Sequence, residues 1–399
     1  MWSWWRDMSN NWNVVPFTEA VDICDTLRKP INSSERTSRI AGKKQSELYP
    51  YYGATGQVGF IDDYITDGEY VLLGEDGAPF LDAYAPKAYI INGKTWVNNH
   101  AHVLRSKTNN KFLCYYLNSF NYKGFVSGTT RLKLTQAEMK RIPVPVPSIP
   151  EQERIVARIE ELFSQLDAGV ETLKKTKAQL AVYRQAVLKE AFDSIEASFY
   201  HPLRAAILGS PQNGLYKPKS DYCDNGTPIL RIDGFYDGFI LSDYSFKRVN
   251  LSAEEIERYR LELGDLVVNR VNSMPYLGKC ALVRSLIEPT VFESNMMRIK
   301  LDTDKVEGDW ITYYLSSHSG RKELTKNAKQ AVNQASINQT DVGNALVPIP
   351  SINEQKRLVT VIESRLSVCD SIEQTVDAAL QQAEAMRQSI LKDAFEGRL

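Results

Sequence analysis

One stretch of this chain is written twice, and that repeat constrains the fold more than any other feature. Val144–Glu196 aligns with Val347–Leu399 without a gap at an offset of 203 residues, and about twenty of the 53 aligned positions are identical. They include Glu151/Glu354, Gln152/Gln355, Arg154/Arg357, Asp167/Asp370, Arg184/Arg387 and the Leu-Lys-x-Ala-Phe ending at Phe192 and Phe395. A chain built this way alternates a variable segment with a shared one, twice. Its 399 residues also exceed what one hydrophobic core usually serves.

The shared segment reads as a long helix. Each copy opens on Ser-x-x-Glu (Ser148 and Glu151, Ser351 and Glu354), a capping-box pattern, after proline-rich extended chain. Pro150 falls in the first turn, where its missing N–H costs little. Ile159, Leu166, Leu173, Leu180 and Val187 recur every seven residues, with Ile155, Leu162 and Tyr183 on the adjoining line. In the second copy Ile362, Cys369, Val376, Ala383 and Ile390 do the same, beside Leu358, Ile372, Ala379 and Met386. Sustained heptads predict a helix–helix seam. The two rods are expected to pair with each other, antiparallel, because a globular segment links the end of one to the start of the next.

The variable segments carry strand and turn signals: short β-branched and aromatic runs punctuated by Gly, Asn and Asp. Each closes with a helical piece and a polar loop, "SGTTRLKLTQAEM" in the first and "KQAVNQASINQTDV" in the second. The expectation is an α+β protein: two globular α/β domains joined by two long antiparallel helices forming a coiled coil, with a pseudo-twofold internal repeat. The boundaries are 1–147 for the first domain, 148–199 for the first spacer helix, 200–346 for the second domain and 347–399 for the second helix.

Other readings are negative. The five cysteines are scattered without a CxxC and read as reduced thiols. His100-Ala101-His102 lacks acidic or Cys partners at ligand spacing, so no metal site is expected. No apolar run approaches a membrane span, and a cytoplasmic protein is expected. No phosphate-binding loop, dinucleotide fingerprint or Asn-Pro-Pro-Tyr/Phe occurs; "GEDGAPF" reads as a turn. The net charge of −1 gives no bulk attraction to nucleic acid, so any such contact needs cations gathered on one face.

Paired "P-S-I-x-E-Q-x-R" phrases, each before a long helix and after an α/β segment, together with "LGDLVVNRVN" and "VFESNMMRIK", resemble the specificity subunit of type I restriction–modification systems. The resemblance covers the whole chain. It implies that each variable segment is a target recognition domain reading one half of a bipartite double-stranded DNA site, and that the helices fix the half-site spacing. It implies partners: methyltransferase (modification) subunits carried by the helices, and a restriction/translocase subunit. It implies no catalysis and no cofactor in this chain, with S-adenosylmethionine, ATP and Mg on the partners. Glu151, Gln152, Arg154, Glu354, Gln355 and Arg357 become candidates for the subunit interface. "MWSWWRDMSNN" is not a phrase of that family. A specificity subunit for a combined type II nuclease–methyltransferase, and a coiled-coil scaffold that binds no DNA, remain as alternatives.

Base reading needs Arg, Lys, Asn or Gln beside small residues that allow close approach. In the first domain the candidates are Tyr52, Thr55 and Gln57 in "YPYYGATGQ", and Thr129, Thr130, Arg131 and Lys133 in "GTTRLK". The tyrosines of the first string suit core or turn packing better than contact with DNA. Arg36, Arg39, Lys43 and Lys44 either hold phosphates or form a solvated face. In the second domain the candidates are Asn269, Arg270, Asn272 and Ser273, just past a strand, and Lys329, Gln330, Asn333, Gln334 and Ser336. Asn99 and Asn295 are read as structural, each tying a strand edge to a loop.

Overall fold

The computed structural model describes residues 12–236, 238–241 and 244–399; Met1–Asn11, whose role the sequence left open, lie outside the described residues. The chain divides into two compact units. One runs to Lys175 and takes in Val376–Leu399; the other is Thr176–Thr375. The divisions fall inside two continuous helices, Ile149–Asp193 and Ile352–Phe395, of 45 and 44 residues. At 1.5 Å per residue each rod is roughly 65–70 Å long. Each unit therefore contains a part of both rods.

Within each unit the rods run antiparallel. In the first, Arg154 Nη2 donates to the Leu399 carbonyl at 3.0 Å and Arg387 pairs with Asp167. In the second, Arg184 Nη2 lies 2.6 Å from Asp370 and 2.9 Å from Glu373, and Arg365 is 2.8 Å from Glu190. Asp167–Arg387 and Asp370–Arg184 are one pair of repeat positions used once in each unit. The principal heptad line of the second rod, from Ile362 to Ile390, is buried throughout. On the first rod Ile159, Leu180 and Val187 are buried while Leu166 and Leu173 are half-buried. The adjoining line is narrower than the heptads suggested: Tyr183, Ile372 and Met386 are exposed. A two-helix seam covers a strip about two residues wide, and a third line on the same helix faces water.

The globular part of the first unit holds two four-stranded sheets. One orders Val21–Ile23, Ala101–Ser106, Tyr70–Gly74 and Ala88–Ile91, all antiparallel. The other orders Gly56–Ile61, Tyr49–Gly53, Lys94–Val97 and Thr66–Asp67, with Tyr49–Gly53 parallel to Lys94–Val97. The second unit repeats the plan. Gln212–Asn213, Met296–Lys300, Asp265–Asn269 and Cys280–Leu282 form one sheet; Tyr222–Cys223, Lys247–Val249, Thr227–Leu230 and Val291–Phe292 form the other, its last pair parallel. The central strands "YVLLG" and "DLVVN" are buried along their whole length, which explains their continuous apolar runs. A proline-bearing ribbon leads into each rod: Asn13–Pro16 with Pro143–Val146, and Tyr200–Pro202 with Leu346–Pro348. Two strands leave an outer edge where proline withholds no ladder hydrogen bond.

One helix in each unit seats the sheet on the rods. Asn110–Ser119 is capped by Asn109, and Gly308–Ser316 by Glu307. Phe112 and Tyr116 of the former lie 5.2 and 5.4 Å from the ring of Phe395. Trp310 and Tyr314 of the latter lie 4.6 and 5.1 Å from Phe192. The repeated Leu-Lys-x-Ala-Phe thus ends in a core anchor in both units. Three cysteines, Cys114, Cys280 and Cys369, are buried free thiols, while Cys24 and Cys223 are partly exposed. Among the described residues no helix is long and apolar enough to cross a membrane.

Candidate nucleic-acid interface

The strand Tyr70–Gly74 emerges from the core at Glu75, and the loop Ser127–Lys133 folds back onto it. Ser127 and Lys133 exchange backbone hydrogen bonds at 3.0 and 2.8 Å, Gly77 N–H donates to Leu132 O at 2.9 Å, and Leu134 N–H donates to Glu75 O at 2.8 Å. Gly128 has φ +96°, and a Cβ there would stand 2.4 Å from the Arg131 carbonyl, so only glycine closes this loop without strain. The loop, the Ala54–Thr55 turn, Asn98 and His100 line an open groove of about 710 Å³. Thr55, Thr129, Thr130, Arg131 and Lys133 are exposed around it. Arg131 Nε lies 2.6 Å from Asp76, and Lys133 Nζ lies 3.5 Å from Glu75. Glu75 also pairs with Arg28.

The basic stretch of this unit lies elsewhere. Ser33–Ile40 is a helix capped by Asn32. Arg36 stacks on Tyr51 at 4.7 Å, Arg39 on Trp96 at 5.0 Å, and both Arg39 and Lys43 bind Asp62 at 2.6 Å. The hydrogen bond from Lys43, joined by Arg39, holds the Asp62 carboxyl below its ordinary range. Arg39 and Lys43 are therefore both tied to Asp62, while Lys44 is exposed. Tyr52 is half-buried with its ring 5.8 Å from Tyr89, a packing role, and Gln57 is exposed with its amide donating to Gly59 O.

The second unit brings its two candidate strings together. The polar "loop" is a β-hairpin, Lys329–Ala331 with Gln334–Ser336, and it adds to Val271–Asn272 as a three-stranded sheet. The turn is tight because Asn333 adopts φ +67°, a left-handed conformation that Asn tolerates. Lys329, Gln330, Asn333 and Gln334 are exposed, with Ser336, Asn272 and Ser273 half-buried beneath them. Arg270 fastens the assembly: its N–H donates to Asn295 O at 2.8 Å, its carbonyl accepts from Ile337 at 3.0 Å, and its Nη1 donates to Ser294 O at 3.0 Å. Asn269 does not belong to this surface. It is the last residue of its strand, fully buried, with its amide donating to Tyr276 O, so it cannot reach a groove.

The two sites correspond. Leu134 bonds Glu75 as Ile337 bonds Arg270, and Leu134 and Ile337 stand at the helix repeat offset. The shared backbone plan thus extends into loops whose letters differ: Arg131 stands where the hairpin has Gln334. His100 and Asn295 correspond, each carbonyl accepting from the residue after the central strand. The tie expected of Asn99 and Asn295 is therefore made by backbone, and it falls at His100 in the first unit. His102 is structural: its ring is buried between Asp25 at 2.8 Å and Leu134 O at 3.1 Å. Glu75, Asp76, Gly77 and His100 belong to the first site but were not candidates; "GEDG" runs from the strand end at Gly74 to a bridge between Asp76 and Lys133, and nothing in its letters pairs it with Arg131.

Gln152 and Gln355 are also corrected. Both are buried within their own unit. Gln152 donates to Pro147 O and accepts from Thr108, and Gln355 donates to Pro350 O and Lys305 O and accepts from Glu307 N–H. Their amides latch rod to sheet and are unavailable to another subunit. Glu151–Arg154 and Glu354–Arg357 stay on the surface as ion pairs.

Two copies of one α/β module, each completed by antiparallel rods and each presenting a different loop surface, define a duplicated recognition scaffold. The chain belongs to the family of the type I restriction modification DNA specificity domain, whose family model matches residues 11–181 and 207–382. It is 27% identical to the type I restriction enzyme EcoKI specificity subunit of Escherichia coli, over 72% of this chain and 65% of that one. It is 25% identical to the EcoBI specificity subunit, over 90% and 79%. The chain spans between 36% and 65% of the lengths of the first three curated relatives it matches. Among solved structures, a chain from a study of type I R-M system assembly has a TM-score of 0.69 at 16% identity, covering 98% of this chain and 99% of that one. The HsdS subunit from Thermoanaerobacter tengcongensis gives 0.50 at 17% identity, covering 98% of each. At these identities the structures speak for the fold.

Proposed function

We propose that the chain is the DNA-reading subunit of a type I restriction–modification complex, with each unit reading one half of a bipartite double-stranded site. The observation that carries this is the pair of corresponding surfaces, Ser127–Lys133 and Lys329–Ser336. They share a backbone plan and differ in side chains, so the halves need not be palindromic. The rods, which pass through both units, set the half-site spacing and carry the methyltransferase subunits; a restriction/translocase subunit joins them. The chemistry, with S-adenosylmethionine, ATP and Mg, resides on those partners, and this chain supplies recognition in the cytoplasm. Base edges are read by the exposed Arg, Gln and Asn side chains, and phosphates by Lys44, Lys133 and Lys329.

The test is an exchange of residues 1–147 for the same region of a relative with a known site. Methylated adenines are then mapped genome-wide by single-molecule sequencing. One half of the methylated sequence should change and the other should persist. A change in both halves, or in neither, defeats the assignment of one unit to one half.

A further inference from the structure

We infer that Arg131 reads a guanine in the half-site of the first unit and that Asp76 is its positioning residue. This rests on the recognition function proposed above. Arg131 is 59% exposed, yet its guanidinium is held on three sides. Asp76 Oδ1 accepts from Nε at 2.6 Å. The His100 ring nitrogen lies 3.5 Å from Nη2 and 3.5 Å from the other Asp76 oxygen. The third side is Gly77, at φ +77°: a Cβ there would stand 3.1 Å from Nε, so a bare α-carbon lets the planar group lie against the backbone. Gly128 and the backbone bonds of the loop fix the Arg131 main chain in turn.

This clamp engages Nε and one side of Nη2, and leaves Nη1 without a hydrogen-bond partner among the described residues. Arg131 lines the groove together with Thr55, Asn98 and Thr130. A long side chain ordinarily loses much rotamer freedom when it binds; here the loss is already incurred in folding. The charge pattern separates base from phosphate. Paired with Asp76, Arg131 is nearly neutral at a distance, and a carboxylate beside a phosphate repels it. Such a pair gains little from the DNA backbone, whereas the outward N–H donors on Nη1 and Nη2 keep their direction. Paired N–H donors in a plane match guanine O6 and N7 in the major groove.

The experiment uses the chain assembled with its modification subunits and duplexes carrying its methylated site. Each guanine of the half governed by residues 1–147 is replaced in turn by 7-deazaguanine, which lacks the N7 acceptor. Wild type should lose about 5- to 150-fold in affinity at one position. Arg131→Ala should lose a similar factor on the natural site and become indifferent to 7-deazaguanine there. Arg131→Lys, which keeps the charge, should behave like Arg131→Ala. Asp76→Asn should relax discrimination at the same position without weakening binding to unrelated DNA. An unchanged unfolding midpoint confirms that the exposed substitutions leave the fold intact. If Arg131→Ala weakens binding equally on all sequences, or Arg131→Lys binds as wild type, Arg131 contacts phosphate and the inference fails. It fails also if that half contains no guanine, or if no position responds. Failure of the 1–147 exchange would instead overturn the recognition function beneath it.

Discussion

Substituting Gln355 tests whether the glutamine of the repeated phrase serves the chain itself or a partner. The side chain is fully buried and makes three hydrogen bonds: to Pro350 O at 2.8 Å, to Lys305 O at 3.0 Å and from Glu307 N–H at 2.9 Å. Glu307 caps the helix that carries Trp310, so the latch ties rod, loop and helix start together. Alanine would leave one donor and two acceptors without these partners, the Pro350 carbonyl buried and the Lys305 carbonyl and Glu307 N–H part-buried. At about 1 kcal/mol each, with a small cavity added, the loss is about 2–4 kcal/mol. That is a large share of ordinary domain stability, and for a unit of this size it corresponds to a fall in Tm of roughly 5–15 °C. The assay is urea unfolding of the full chain, followed by tryptophan fluorescence. Trp310 is buried in this unit, and its indole donates to Pro348 O at 2.8 Å. Gln152→Ala should cost less, because its amide makes fewer bonds. Affinity for the modification subunits, measured where the variant is folded, should be unchanged. A stability change below about 0.5 kcal/mol, or lost docking with stability intact, would refute the latch.

Two further outcomes follow from the same geometry. Asn333→Ala should loosen the 329–336 hairpin by about 1 kcal/mol through its left-handed backbone, while Asn333→Gly should be neutral; hydrogen exchange of the hairpin amides reads the difference. Burial pushes the Asp25 carboxyl up, but the bond from His102, the Val103 N–H at 2.9 Å and Arg28 at 3.3 Å outweigh it and hold it below the ordinary range. Its stabilisation is in force above the unfolded value of about 3.9 and is lost as pH falls through the lower folded one. Acid unfolding of the chain should accordingly lose part of its steepness below about pH 4 in Asp25→Asn, and an identical acid limb in the variant would contradict the placement.

The rods were legible because a helix writes its contacts at short, regular spacing. The cap at Ser351, whose hydroxyl accepts from Glu354 N–H at 3.3 Å, the heptads and the repeated arginine–aspartate pair all lie within one element or recur at one offset. The antiparallel direction followed from connectivity. The reading surfaces were legible only in part. Glycines and amides marked the loops, but no local pattern distinguishes an irregular loop from a hairpin whose third strand, Val271–Asn272, lies far back in the chain. Asn269 looked like a loop residue because the strand end could not be placed to within one residue. The clamp on Arg131 escaped notice for the same reason: Asp76 and His100 reach it only after two sheets have formed. Gln152 and Gln355 misled differently, since a repeated polar residue at a helix start suggests a surface, and the helix–sheet junction that buries both is a tertiary fact.

Phe395 has a consequence for synthesis. The pocket made by Phe112 and Tyr116 is filled by a ring translated long after the strands around it, whereas Phe192 is translated before the strands and the Trp310 helix that it packs against. On the ribosome, the half that emerges earlier must wait, with apolar surface open to chaperones, until the final stretch of the second rod arrives to close it.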